Sequence, residues 1–371
     1  MTVAVVIGAL ALAAWLYLLF GRGRFWLARE RDDRDLPAEP AAWPSVVAVV
    51  PARNEADVVA RSVASVLGQD YPGPLRLVLV DDASDDGTAE RAVAAADKTG
   101  VGERLVVLSG RSLPAGWTGK LWAVGQGVEA ASASAPDYLW ITDADIAHAP
   151  STLRRLVARA DARSLALVSL MARLQTGTLP ERMLIPAFVF FFDMLFPFSW
   201  ANDPARKTAA AAGGVASIRA EIIDDCALAA RLKAQGPIWL GLTQTSVSLR
   251  PYRTFAEIGR MVSRSAYAQL RYSPPLLAGA VIGMALVYLA APVLALAGVG
   301  TPRALGLAAW ALMALAFQPM LRFFRVSPLW GVALPAIGAF YVVFTLTSAL
   351  QVWRGRGGMW KGRAQAVAAS S

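Results

Sequence analysis

The apolar residues of this chain are partitioned, and the partition limits what the chain can become. Val3 to Phe20 is an unbroken apolar run, and the pattern returns beyond Pro275 in three stretches, roughly Leu276 to Val299, Ala304 to Leu321 and Leu329 to Leu350. At about 1.5 Å of helical rise per residue, each is long enough to cross a hydrocarbon layer of roughly 30 Å. The middle of the chain lacks this character. Two membrane-held ends around a water-soluble domain are therefore predicted. Arg22, Arg24, Arg29 and Arg31 follow the first run and no basic residue precedes it. A cleaved signal peptide has the opposite order, so this run is read as an anchor. The positive-inside rule then places the N-terminus outside and the central domain in the cytoplasm, at the inner (plasma) membrane.

Three further crossings would leave Arg354, Arg356, Lys361 and Arg363 outside, against the same rule. One stretch is thus expected to be re-entrant, with Pro292, Pro319 and Pro335 as places to break; which one stays open. Residues 180–200 are apolar but interrupted by Asp193 and three prolines, and are read as an interfacial or buried segment rather than a span. The expected organisation is an anchor over 1–20, a basic linker over 21–44, a central domain over 45–273, a transmembrane region over 274–352 and a basic tail over 353–371.

A net charge of +9 raises the question of a nucleic-acid partner. The arginines cluster beside apolar segments, as juxtamembrane charges do, and no nucleic-acid-binding signature accompanies them, so none is expected. Cys226 and His148 are the only residues of their kinds. That excludes an intramolecular disulfide, a Cys/His zinc site and a Ser-His-Asp triad within one chain. A metal must sit on carboxylates, which favours Mg or Mn.

From Ser45 strands and helices alternate. Val46–Val50, Leu75–Val80, Arg104–Leu108 and Tyr138–Thr142 read as buried strands, and Asp57–Leu67 and Thr88–Ala96 as helices between them. Such alternation predicts a largely parallel sheet with ligands at the C-terminal ends of its strands. Three carboxylate groups follow in order: Asp81-Asp82, Asp143-Ala-Asp145 and Asp224-Asp225. Sugar transfer from a nucleotide diphosphate needs such a set, to fix the nucleoside, to hold a divalent cation and to deprotonate an acceptor hydroxyl. Taken singly, an Asp-Asp pair is more often a turn or cap, and Asp-x-Asp arises by chance.

Their context is more specific. Pro51-Ala-Arg-Asn-Glu55 after the first strand and Val80-Asp-Asp-Ala-Ser-Asp-Asp-Gly-Thr88 after the second resemble the opening of family 2 glycosyltransferases. TGKLWAVGQG (118–127), WITDADIAHAP (140–150) and IIDDCALAARLK (222–233) follow in family order. With the N-terminal anchor and the closing MWKGR (359–363), the chain is similar to the hopene-associated subgroup. The resemblance implies an α/β GT-A nucleotide-sugar-binding domain, a mostly parallel sheet with helices on both faces, joined to transmembrane helices. It implies an inverting, metal-dependent enzyme that takes a nucleotide-sugar donor and a membrane lipid acceptor. By the same resemblance Glu55, Asp81 and Asp82 contact the nucleoside, Lys120 lies near the nucleotide, Asp143 near ribose or metal, and Asp145 on the metal. Asp225 is the expected general base, with Asp224 beside it. Trp117 and Trp122 are open between stacking on a ligand and packing.

Two departures stand out. Processive members carry Gln-x-x-Arg-Trp, whereas this chain has Ala268-Gln-Leu-Arg-Tyr272, which disfavours polymer synthesis. Only Val215 to Ile223 separate Gly214 from Asp224, where the family places a strand and a helix. The short joint predicts normal donor binding with poor transfer. At its extreme it predicts a membrane scaffold that keeps nucleotide binding alone.

Overall fold

The computed structural model describes residues 2–206, 224–355, 359–360 and 363–364, excepting the side chains of 224–227, 230 and those past 355. The chain opens with α1 (Thr2–Phe20), then β1 (Val46–Ala52), α2 (Val59–Leu67), β2 (Leu75–Asp81), α3 (Thr88–Lys98) and β3 (Leu105–Ser109). Next come α4 (Gly119–Ser132), β4 (Tyr138–Ile141), β5 (Ile146–His148), α5 (Thr152–Ala162), β6 (Leu167–Arg173), α6 (Leu179–Leu195) and α7 (Phe198–Ala201). After α8 (Asp224–Lys233) and β7 (Ile238–Ser248) the chain is helical: α9 (Phe255–Ser263), α10 (Ala266–Gln269), α11 (Pro274–Met284), α12 (Ala290–Ala297), α13 (Thr301–Phe324) and α14 (Leu334–Trp353). Two compact units result. One comprises Met1–Glu30, Gln175–Asp203 and Tyr252–Gly357, the other Arg31–Leu174, Pro204–Pro251 and Gly358–Ser371.

The second unit is the α/β domain. Its main sheet has the order β3-β2-β1-β4, all parallel. Strand alternation divides β1 between two cores. Val46, Ala48 and Val50 pack with Val59, Val63 and Val66 of α2 and with Ala92 and Ala96 of α3. Val47 and Val49 pack with Ala123 and Ala131 of α4. Helices thus cover both faces, and every residue of β1 is buried, as an all-parallel sheet requires. A second sheet, β5-β7-β6, pairs β7 antiparallel to β5 and parallel to β6. The basic linker is pinned to it: the Asp32 N–H donates to the Leu242 carbonyl at 3.0 Å. The Asp32 carboxylate in turn accepts from the hydroxyls of Thr243 and Thr245 at 2.6 and 2.8 Å.

The first unit is built from the apolar helices. α1, α13, α14, Leu179–Ala201 and Pro274–Ala297 are each long and apolar enough to cross a membrane. Large apolar side chains such as Val3, Leu10, Ile282, Leu296 and Leu315 stand exposed on them. α11 and α12 are joined by a π-helical turn, Ala285–Leu289, and Trp15 donates its indole N–H to the Val287 carbonyl inside it at 2.8 Å. α14 lies antiparallel to α11. Leu277 packs with Ala349 at one end, and a Cβ at Gly338 would come 2.9 Å from the Tyr288 Cβ at the other. α13 lies antiparallel to α12, where a Cβ at Gly306 would meet the backbone of Ala291 and Ala295 at 2.7 and 2.6 Å.

The connection from α13 to α14 turns back along α13. Gln318 donates to the Pro328 carbonyl at 3.1 Å, and Trp310 donates to the Val332 carbonyl at 3.0 Å. α14 therefore begins near the level of Trp310, well up α13, and ends level with the start of α11. The stretch read as one span from Leu329 is a climbing return followed by a helix from Leu334.

Candidate active site

Two loops leave the C-terminal edge of the main sheet and are laced together. After β1, Asn54 takes a left-handed backbone at φ 51°, a conformation Asn tolerates better than most residues. Its N–H donates to the Ser84 hydroxyl at 3.0 Å, and its side-chain oxygen accepts from the Asp85 N–H at 3.1 Å. The Glu55 N–H donates to Thr88 Oγ1 at 2.9 Å and the Ala56 N–H to Asp86 at 3.0 Å. Asp86 also accepts from the Thr88 N–H and hydroxyl. Slight burial works to raise its pKa, but the bonds from Thr88 and Ala56 outweigh that and hold it below the usual carboxylate range. The alternation of Asp and Ser through 81–88 is thus a turn built from its own side chains.

Asp81 and Asp82 sit where β2 enters that turn. Asp81 Oδ1 accepts from the Ser84 N–H at 3.2 Å and from the Ser84 hydroxyl. Asp82 is 1% exposed, and its carboxylate faces the Arg53 guanidinium at 3.7 Å. Arg53 also donates to the Asp82 carbonyl.

Asp143 and Asp145 occupy the turn between β4 and β5. Lys120 Nζ lies 3.0 Å from Asp143 Oδ1. It stands in the first turn of α4, capped by Thr118, where a cation opposes the helix dipole. Its place there does nothing for the helix and suits an anion approaching the helix N-terminus. Asp145 meets Arg250, whose Nε lies 3.3 Å from Asp145 Oδ2. Arg250 also donates to Glu55 Oε2 and lies 3.3 Å from Asp57 Oδ1. Burial works against its charge, but the Glu55, Asp57 and Asp145 carboxylates prevail and hold its pKa above the ordinary value. The register that pairs Ile146 with Ser248, and the Leu249 N–H that donates to the Asp145 carbonyl at 2.7 Å, deliver Arg250 to this place.

Glu55, Asp145 and Arg250 are therefore in direct contact, as are Lys120 and Asp143. Asp81 and Asp82 belong to the neighbouring turn. Asp224 and Asp225 open α8, and their side chains, like the whole connection over 215–223, lie outside the described residues. Arg250 was not expected from the sequence; a lone arginine after a strand carries no local signal, and only the β5–β7 pairing reveals its partners.

The Asp143 and Asp145 oxygens are hard donors of the kind Mg and Mn take. Among the described residues no group of three or more His, Cys, Asp and Glu could hold an ion, so these two would supply only part of its shell. His148 is not a ligand: its Nε2 pairs with Thr142 and its Nδ1 with Ser246, both at 2.9 Å. Burial pushes its pKa down to about 4, which keeps the ring neutral. Trp117 and Trp122 pack edge to face on each other at 5.1 Å, and Trp122 donates to the Arg111 carbonyl at 3.0 Å. Ala268–Tyr272 falls in the apolar unit, where Tyr267 donates its hydroxyl to the Tyr272 carbonyl at 2.8 Å.

Comparison with known proteins places this fold. The fold is similar to that of mannosyltransferase PcManGT from Pyrobaculum calidifontis, in complex with GDP-Man and Mn2+. The identity is 20%, the match covers 93% of this chain and 99% of that one, and the TM-score is 0.51. Glucosyl-3-phosphoglycerate synthase from Mycobacterium tuberculosis matches at 17% identity over 62% of this chain and 79% of that one, with a TM-score of 0.37. No curated protein matches the chain. Residues 47–226 match the profile described as Glycosyl transferase family 2, so the α/β unit with its laced carboxylate loops is a family 2 glycosyltransferase domain of GT-A type.

Proposed function

We propose that this chain is a membrane-bound inverting glycosyltransferase that moves a sugar from a nucleotide diphosphate donor to a lipid-type acceptor, with a hopanoid as the candidate its motif order suggests. The observation that carries the reading is the pairing of Asp143 with Lys120 and of Asp145 with Arg250 beside Glu55. Carboxylates and cations alternate there over a short distance, which suits a nucleoside diphosphate. Glu55, Asp81 and Asp82 would fix the nucleoside, and Lys120 would meet the diphosphate. Asp145 and Asp143 would hold a divalent cation, which when bound offsets charge on the leaving diphosphate. Asp225, with Asp224 as its alternate, would take the acceptor proton for direct displacement. The complex of PcManGT with GDP-Man and Mn2+ accords with this donor and metal class.

A lipid-type acceptor is supported by the apolar unit. An open cleft of about 760 Å³ is lined there by Leu179, Leu329 and Trp330, with Arg182 and Arg325 also on its wall. Apolar wall and charged groups together suit an amphiphile.

Helix register supports a topology that satisfies the charge rule. β6 and β7, on either side of residues 179–201 in sequence, pair in one sheet, which supports reading 179–201 as an interfacial or buried segment rather than a lone span. The return along α13 then lets α14 run back to the end where α11 begins. Arg354 then lies level with the start of α11, which accords with the charge rule.

The deciding experiment incubates the full-length chain with UDP- and GDP-sugars and Mn2+, with and without membrane lipid extract. Radiolabelled sugar should pass into the lipid fraction. Absence of both nucleotide binding and transfer would overturn the reading, while binding with hydrolysis alone would reduce it to the scaffold. Cysteine introduced at Leu36, which is 58% exposed, should resist a membrane-impermeant label on intact cells.

A further inference from the structure

Arg250 is placed as a cation among the carboxylates around Asp145. Its guanidinium touches Glu55, whose residue is 7% exposed, and lies within 3.3 Å of Asp57 and of Asp145. Three carboxylates drawn together from two loops would repel one another without it. The contacts differ in kind. Glu55 and Asp57 receive hydrogen bonds, whereas the buried Nε that faces Asp145 makes none, so that contact is an ion pair without directed bonding. It is the contact most readily exchanged.

We propose that Arg250 is a resident counter-ion that competes with the divalent cation for Asp145 and, once displaced, turns its fork onto the diphosphate of the donor. The proposal rests on the reading of Asp145 as a metal carboxylate. In the donor-free site the delocalised charge of Arg250 offsets part of the Asp145 charge. A divalent cation arriving with a diphosphate outbids it, because it brings twice the charge and phosphate oxygens to complete its shell. Arg250 keeps Glu55 and gains phosphate oxygens, which a guanidinium binds in paired fashion. A cation without the diphosphate gains no such compensation and must displace Arg250 unaided. The residue would thus make metal binding depend on the nucleotide, and leave the free enzyme without its metal at concentrations that load the donor complex.

The test uses the full-length protein in nanodiscs and does not depend on turnover. Mn2+ alone is titrated by electron paramagnetic resonance, and UDP and GDP are titrated by calorimetry at saturating Mn2+. In Arg250→Gln, Mn2+ alone should bind about tenfold tighter than in the parent, and the nucleoside diphosphate about tenfold weaker. The opposed shifts are the signature; a merely structural role would weaken both. Mn2+ affinity that is unchanged or weaker in Arg250→Gln overturns the proposal. Should Arg250→Gln fail to fold, Arg250→Lys decides. It keeps the charge but not the fork, so it should hold the parent's weak Mn2+ binding while losing nucleotide affinity, and parent-like nucleotide binding would overturn the idea. If the parent itself binds neither UDP nor GDP with Mn2+, the glycosyltransferase reading fails first and this inference with it.

Discussion

Asp81–Asp82 and Asp143–Asp145 end strands on either side of β1, yet they are held in opposite ways. The first pair is fixed by its own turn and by Arg53 of the loop laced to that turn, with Asp82 all but sealed from solvent. The second pair is open, its side chains 50% and 25% exposed, and each is held by a cation from a distant element. Carboxylates tied by local backbone shape a site, whereas carboxylates tied by borrowed cations can exchange them. Under the proposed function the first pair is the frame and the second the working surface.

The most severe test of that contrast is Asp145→Ala against Asp85→Ala. Asp85 is an exposed turn residue whose N–H, not its carboxylate, is engaged by Asn54. Asp145→Ala should abolish metal-dependent nucleoside diphosphate binding in calorimetry, while Asp85→Ala should bind almost normally. Equal losses would erase the distinction between frame and surface.

The third pair sharpens it. Asp225→Asn should lower sugar transfer by about a hundred- to ten-thousand-fold while nucleotide binding stays nearly intact, because an amide cannot accept the proton. Near-normal transfer by that variant would move the base to Asp224.

The contrast should also appear in stability. Asp82→Ala removes a buried carboxylate that faces the Arg53 guanidinium and should cost about 3 kcal/mol in chemical denaturation of the catalytic unit. Asp143→Asn breaks only an exposed ion pair and should cost no more than about 0.5 kcal/mol. If the two variants unfold alike, Asp82 is no more structural than Asp143.

A smaller effect comes from His148 beneath the working pair. Its folded pKa, about 4, lies below its unfolded value of about 6.5, so the unfolded chain takes up the proton first. Its contribution is complete above pH 6.5 and is lost as pH falls towards 4, a span of about 3 kcal/mol at most. His148→Gln should flatten the stability profile across that interval, as read by denaturant midpoints.

The sequence showed some of this and hid the rest for physical reasons. β1 to β4 were legible because a strand buried on both faces must be apolar throughout, as VVAVV and LRLVLV nearly are. The two turns were legible because their Asp, Asn and Ser residues make their own hydrogen bonds. β6 and β7 were not, since β6 is only half-buried and LGLTQTSVS in β7 mixes hydroxyls with apolar residues. Arg250 was hidden because its partners are joined to it by strand register alone. The return along α13 was hidden for another reason. Leu329 and Val332 are as apolar as the helix that follows, so composition could not separate them from it.

The indole of Trp15 and the carbonyl of Val287 bear on what may be done with the N-terminus. A widened helical turn leaves backbone oxygens off their usual partners, and hydrocarbon offers no water to take over. The first helix answers one of them with a donor at one position, and Trp15 is fully enclosed there. It is therefore a keyed part and not an interchangeable tether. Replacement by another apolar segment of equal length would keep an apolar helix but leave the lock at Val287 open. A Trp15→Phe chain would do the same with a single atom group removed.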